Sequence, residues 1–213
     1  MDPTLPQRLY LISYDIDKGR FDPVSTTYRG SLLRAAALTE LILGGLLRDR
    51  GGRAERDPAR TPDDPFLAEV LAGLSPKEPS HWVNAVPDRA WTAEGAVREQ
   101  LAANGSVTVA RRRVLGVFPT REVTPSHPDR VRELRERVRA AVLAGSGPAT
   151  APAEDVALAA IAVDGDVWTV FSTKERQRHR AEFKALHERF EAEVPGMRNA
   201  VLAAVVNRRA GTN

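Results

Sequence analysis

This sequence predicts a mainly α-helical chain, a single globular domain built around a central hydrophobic helix, with one exposed β-hairpin. Three observations predict it. Apolar residues recur at three- and four-residue spacing over most of the 213 positions. One stretch, Leu32 to Leu47, is apolar around nearly its whole circumference, and only the segment 107–118 turns to β-branched and aromatic runs. With 42% hydrophobic and 28% charged residues the chain has material for a core. Folding at this length buries roughly 70% of the unfolded surface, so no metal or disulfide is needed as a staple.

The elements follow in order. Leu5, Leu9, Leu11 and Ile12 predict a short amphipathic helix, stopped at Asp17-Lys18-Gly19-Arg20. Thr26 or Thr27 caps the long second helix, whose buried positions are Leu32, Leu33, Ala36, Ala37, Glu40, Leu41, Leu43 and Leu47; Gly44 and Gly45 weaken its end. Residues 48–65 and 145–152, rich in Gly, Pro and small or charged residues, read as loops within one domain spanning 1–213. Asp63 to Leu74 is a helix, with short helices around Trp82 and from Trp91 to Ala103. After Asn104-Gly105, Val107 and Val109, then Val114, Leu115, Val117 and Phe118, form two strands joined by an Arg111-Arg112-Arg113 turn. Helical spacing resumes over Pro128–Leu143, Asp155–Val170, Lys174–Val194 and Met197–Asn207. On the first of these, Arg132 with Glu136 and Glu133 with Arg137 stand at i,i+4.

Most catalytic chemistries lack their sequence supports. There is no cysteine, so disulfides, thiol catalysis and thiolate zinc sites are excluded. The four histidines are scattered, with His179 and His187 too far apart to share a zinc across one helical turn. No Gly-rich phosphate loop and no Gly-x-Ser-x-Gly elbow occurs, and Asp15 and Asp17 read as turn chemistry. The expectation is a non-enzymatic protein with no catalytic residue, metal or cofactor. Nothing resembles a signal peptide or a membrane span, which fits a cytoplasmic protein that meets membranes only peripherally.

Charge points to phosphate. Of 31 basic residues 27 are arginine, a side chain that pairs bidentately with phosphate and carboxylate, although a GC-rich genome yields the same excess. From Arg98 to Arg139 ten arginines face five carboxylates, more positive than the +3 of the whole chain. Beside Val114, Leu115, Val117 and Phe118, the Arg111–Arg113 run suits either the boundary of an anionic membrane or a small sheet packed on the core. The 91–103 helix and its basic hairpin also imitate a winged-helix nucleic-acid module. Ala93, Glu94, Gly95, Glu99 and Gln100 give that helix little to approach phosphates with, so nucleic acid is not the expected partner.

Several stretches together resemble the Golgi phosphoprotein 3 family, most of all its bacterial branch. They are Leu5-Pro6-Gln7-Arg8-Leu9-Tyr10-Leu11 running into Asp15-Ile16-Asp17-Lys18-Gly19-Arg20, then Leu33-Arg34-Ala35-Ala36-Ala37-Leu38-Thr39-Glu40-Leu41. Asp64-Pro65-Phe66-Leu67-Ala68-Glu69-Val70-Leu71, Trp82-Val83, Asn104-Gly105-Ser106-Val107 and Val114-Leu115-Gly116-Val117-Phe118-Pro119 complete the pattern. The resemblance implies a peripheral membrane protein that binds anionic phospholipid headgroups of the phosphatidylinositol 4-phosphate kind. It implies Arg34 and Arg98 as phosphate ligands, and a hairpin of Arg111, Arg112, Arg113, Val114, Leu115, Val117 and Phe118 for membrane contact or self-association. Protein clients remain a further class of partner. Ser25 stands where the family has a tryptophan, leaving Tyr28 as the candidate aromatic contact, and Gly95 stands where it has another arginine.

Overall fold

The computed structural model describes residues 2–114, 118–145 and 147–210, with backbone alone for 111–114, 118–120 and 209. The chain opens with α1 (Leu5–Ile12), a short pair β1 (Tyr14–Asp15) and β2 (Arg20–Phe21), a 3-10 turn at Ser25–Thr27 and α2 (Arg29–Leu43). Next come β3 (Leu47–Asp49), β4 (Arg53–Arg56), α3 (Pro65–Ala72), β5 (Ser80–His81), α4 (Trp82–Ala85) and α5 (Ala90–Ala103). The hairpin strands β6 (Val107–Val114) and β7 (Phe118–Pro125) lead into α6 (Pro128–Leu143), α7 (Gly147–Thr150), α8 (Ala153–Asp164), α9 (Thr173–Arg178), α10 (Arg180–Glu193) and α11 (Met197–Ala210).

The central helix is α2. Leu32, Leu33, Ala35–Ala37, Leu38 and Leu41 are all buried, and α1, α3, α5, α8 and α11 pack around it. Small residues bring its neighbours close. A Cβ on Gly30 would lie 2.0 Å from the Ala90 carbonyl oxygen, so only glycine lets the start of α5 cross here. At the other end Gly45 takes a left-handed φ of +69°, and the Leu46 N–H closes back on the Leu41 carbonyl at 2.8 Å, which terminates the helix. The α1 N-terminus docks on α2 through the Leu5 N–H, which donates to Glu40 Oε2 at 2.7 Å. Burial pushes the Glu40 carboxyl up, and this bond and Arg8 offset part of the shift.

Several expectations need correction. Neither Thr26 nor Thr27 caps α2; both sit in the 3-10 turn, where Thr26 Oγ1 bonds the Asp22 carbonyl, and Tyr28 precedes the helix without a side-chain cap. Leu47 is in a strand. Segment 48–65 is not all loop, because Gly51 and Gly52 both take positive φ (60° and 82°), the two-residue turn that fits strand twist, and β3 and β4 pair across it. With β5 they form a three-stranded antiparallel sheet, so the described residues carry two small sheets, β1–β2 and β3–β4–β5, besides the expected β6–β7 hairpin. Helix α8 ends at Asp164, and the predicted 174–194 helix breaks at His179 into α9 and α10. A capping box between Ser172 and Glu175 starts α9. Asp15 and Asp17 do form a turn, in which Asp15 Oδ1 accepts the N–H of Asp17 and of Lys18.

Candidate functional site

The hairpin is longer than the sequence pattern suggests, and its basic run lies elsewhere. Val107 and Val123 are buried at its base, where β6 leaves α5. The antiparallel register then pairs Val109 with Val123, Arg111 with Arg121, Arg112 with Thr120, Arg113 with Pro119 and Val114 with Phe118. Arg111–Arg113 therefore belong to strand β6 and do not form the turn. The ladder runs unbroken through the charged run as far as the Val114–Phe118 pair. Leu115 and Val117 lie outside the described residues. The register also adds Arg121 to the basic group, which counting from an assumed Arg turn misses.

At the hairpin base Arg98, Glu99, Ala102, Val109 and Arg121 line a shallow recess of about 270 Å³. Arg98 is half-buried on α5, flanking the buried stripe of Ala93, Val97 and Leu101. Neither Arg98 nor Arg121 forms an ion pair among the described residues. Behind Arg98 lies the buried hydroxyl of Tyr10. Burial drives its pKa above the ordinary tyrosine range, the charge of Glu94 adds to that, and Arg98 and Arg29 oppose it.

Arg34 is differently placed. Its guanidinium is buried and donates through Nε and Nη2 to the Ala85 carbonyl at 3.2 and 3.0 Å, while Nη2 reaches Asp88 Oδ2 at 3.3 Å. Burial lowers its pKa, and Asp88 and Glu69 pull it back. The Asp88 side chain stays 46% exposed, so a phosphate could reach Arg34 only by displacing that carboxylate. Arg34 and Arg98 share no acceptor among the described residues: those of Arg34, Ala85 and Asp88, precede α5, and Arg98 stands eight helical steps, about 12 Å, beyond Ala90. Tyr28 is buried under the start of α2 and presents no ring at the surface; Ser25 is buried beside it.

Sequence reasoning missed Arg29. It is buried, bonds Glu94 Oε1 at 2.9 Å and the Asp22 carbonyl at 3.1 Å, and lies 4.5 Å over the Phe21 ring. Its place at the first helical position is no signal of burial, because helix starts are usually solvated. In place of the expected i,i+4 pairs on α6 stand two i,i+3 pairs, Arg132 with Asp129 and Arg139 with Glu136, and three long-range ones, Arg132 with Asp17, Arg137 with Asp155 and Arg139 with Glu175. No group of His, Asp and Glu among the described residues is placed to hold a metal ion, and no helix among them is long and apolar enough to cross a membrane.

The family model of Golgi phosphoprotein 3 (GPP34) covers residues 5–205, from the first residue of α1 into α11 and through the hairpin. No curated protein matches the chain.

Proposed function

Because the chain belongs to the Golgi phosphoprotein 3 family, we propose that it is a non-enzymatic peripheral membrane protein that recognises anionic phospholipid headgroups bearing a phosphate monoester, as in phosphatidylinositol 4-phosphate. The observation that carries this reading is the hairpin register, which sets Arg111 opposite Arg121 beside Arg98. Like charges directly opposite on paired strands destabilise the pair, a cost that an anion between them relieves. Guanidinium is suited to the task, since it meets a phosphate through two parallel donors. The last described pair toward the tip, Val114 with Phe118, is apolar. Arginines near an anionic surface contribute about 1 kcal/mol each, enough for reversible attachment. Arg34 serves as a ligand only in a state that releases Asp88.

Co-sedimentation with phosphatidylcholine vesicles, with and without phosphatidylinositol 4-phosphate, tests the reading. Binding is expected only with the anionic lipid, and the Arg98→Ala, Arg121→Ala double variant should weaken it at least about tenfold, or about 1.4 kcal/mol, with unchanged thermal unfolding. Absent binding, or binding indifferent to the double substitution, sinks it. A nucleic-acid module is less well supported: the outer face of α5 offers Arg98 beside Glu99, and the Glu94 carboxylate is held by Arg29.

A further inference from the structure

Two of the three tryptophans are displayed on the surface. Trp82 is 2% exposed, whereas Trp91 is 81% and Trp168 57% exposed. Neither sits on a loose segment. Trp91 occupies the first turn of α5, on the same stripe as Gly95 and Arg98, seven positions on. The Trp168 backbone N–H donates to Asp22 Oδ2 at 3.1 Å, and the next residue, Thr169, fixes its hydroxyl on the Ile12 carbonyl.

A single buried cation links the two positions. Arg29 donates to the carbonyl of Asp22, the residue that holds Trp168, and to the carboxylate of Glu94, which stands three positions after Trp91 on α5. The bonded path runs from the Trp168 backbone N–H through Asp22 and Arg29 to Glu94, and so fixes the Trp168 backbone to the turn of α5 that carries Trp91. From Trp91 the stripe continues through Arg98 to the recess at the hairpin base.

Charge on this face suits an anionic surface. Arg89 and Arg98 form no ion pair among the described residues. Three nearby carboxylates are engaged, Asp88 with Arg34, Glu94 with Arg29, and Asp22 with the N–H groups of Val24 and Trp168, while Glu99 beside Arg98 forms no ion pair among the described residues. Indole has an apolar body and one N–H donor, which is why tryptophan concentrates at the headgroup level of bilayers, where one side is dry and the other wet.

We propose that Trp91 and Trp168 seat in the headgroup layer of an anionic bilayer, forming with Arg89 and Arg98 a second membrane contact that continues from the hairpin. This rests on the headgroup-binding reading, and the test separates the two. Tryptophan emission is followed with vesicles of dibrominated phosphatidylcholine containing phosphatidylinositol 4-phosphate, using the full chain and its Trp91→Phe and Trp168→Phe variants, with co-sedimentation in parallel.

Quenching of the wild type is expected, reduced in each single variant and absent in the double variant, which retains only the buried Trp82. Trp91→Ala and Trp168→Ala should each weaken vesicle binding about tenfold with unchanged thermal unfolding, since neither ring packs in the core. Co-sedimentation without quenching overturns this proposal and leaves the headgroup reading standing; no co-sedimentation overturns both. A concentration-dependent dimer lost on Trp91→Ala, with vesicle binding unaffected, assigns the rings to self-association and also overturns it.

Discussion

Two arginines singled out by sequence end in opposite environments. The Arg34 guanidinium is sealed against α4 and supplies two hydrogen bonds to the Ala85 carbonyl, whereas Arg98 faces a recess with no carboxylate partner among the described residues. Arg34→Ala removes two donors from the buried Ala85 carbonyl and the partner of Asp88, so it should cost about 2 kcal/mol. Arg98→Ala should change stability by less than about 0.5 kcal/mol. Urea unfolding of both variants checks this, and equal losses would contradict the division of roles. The sequence marks both positions through residue type and spacing, but not the partner each side chain meets. For Arg34 that partner comes from the α4–α5 connection, more than fifty residues away. Trp91 shows the same limit, because nothing in Arg89-Ala90-Trp91-Thr92 distinguishes a displayed indole from a buried one.

Helices were legible where one face is continuously apolar. Helix α6 begins at Pro128 and ends at Leu143, where its apolar stripe closes, and α3 starts with Asp64 accepting the Leu67 N–H in front of Pro65. Breaks set by single capping residues were less visible. The Ser172–Glu175 box was written in the sequence yet was overridden by the long apolar repeat, and the Gly51-Gly52 hairpin signal was submerged in a charged, Pro-rich segment. The same box makes α9 acid-sensitive. Glu175 is held at about 2 chiefly by the Arg139 guanidinium, with burial opposing and the Ser172 N–H and hydroxyl assisting. Its folded pKa lies below its ordinary 4.5, so the native state binds the proton less readily than the unfolded chain. The stabilisation is complete above pH 4.5 and drains away as pH falls toward about 2. Glu175→Gln should flatten that acid limb when unfolding midpoints are measured from pH 7 down to 2. A limb as steep as wild type would move the acid response to other carboxylates.

Across the whole molecule the arginines divide into clamps and free cations. The positive stretch from Arg98 to Arg139 reads in sequence as one basic region, but in the fold α6 turns its arginines inward or sideways. Arg135 bonds the Tyr14 carbonyl, Arg137 the buried Asp155, and Arg139 both Glu175 and the Val170 carbonyl. These tie the N-terminal pair β1–β2 and helices α8 and α9 to one another, and they have no charge to spare for a surface. Of that stretch Arg98 and Arg130 form no ion pair among the described residues, and with them stand the hairpin positions Arg111, Arg112, Arg113 and Arg121 and, ahead of α5, Arg89. Four hairpin cations contribute about 4 kcal/mol to attachment at an anionic surface, roughly a thousandfold in affinity. Attraction of that kind is screened by salt: the Debye length falls from about 10 Å at 0.1 M salt to about 3 Å at 1 M. Vesicle affinity should therefore drop at least about thirtyfold over that range, while the thermal midpoint moves little, because the clamp pairs are partly buried and reinforced by backbone acceptors. Co-sedimentation and thermal unfolding in the same salt series measure both quantities. If affinity stays flat and the midpoint falls instead, the hairpin is not the electrostatic contact and the exposed charges belong to the fold.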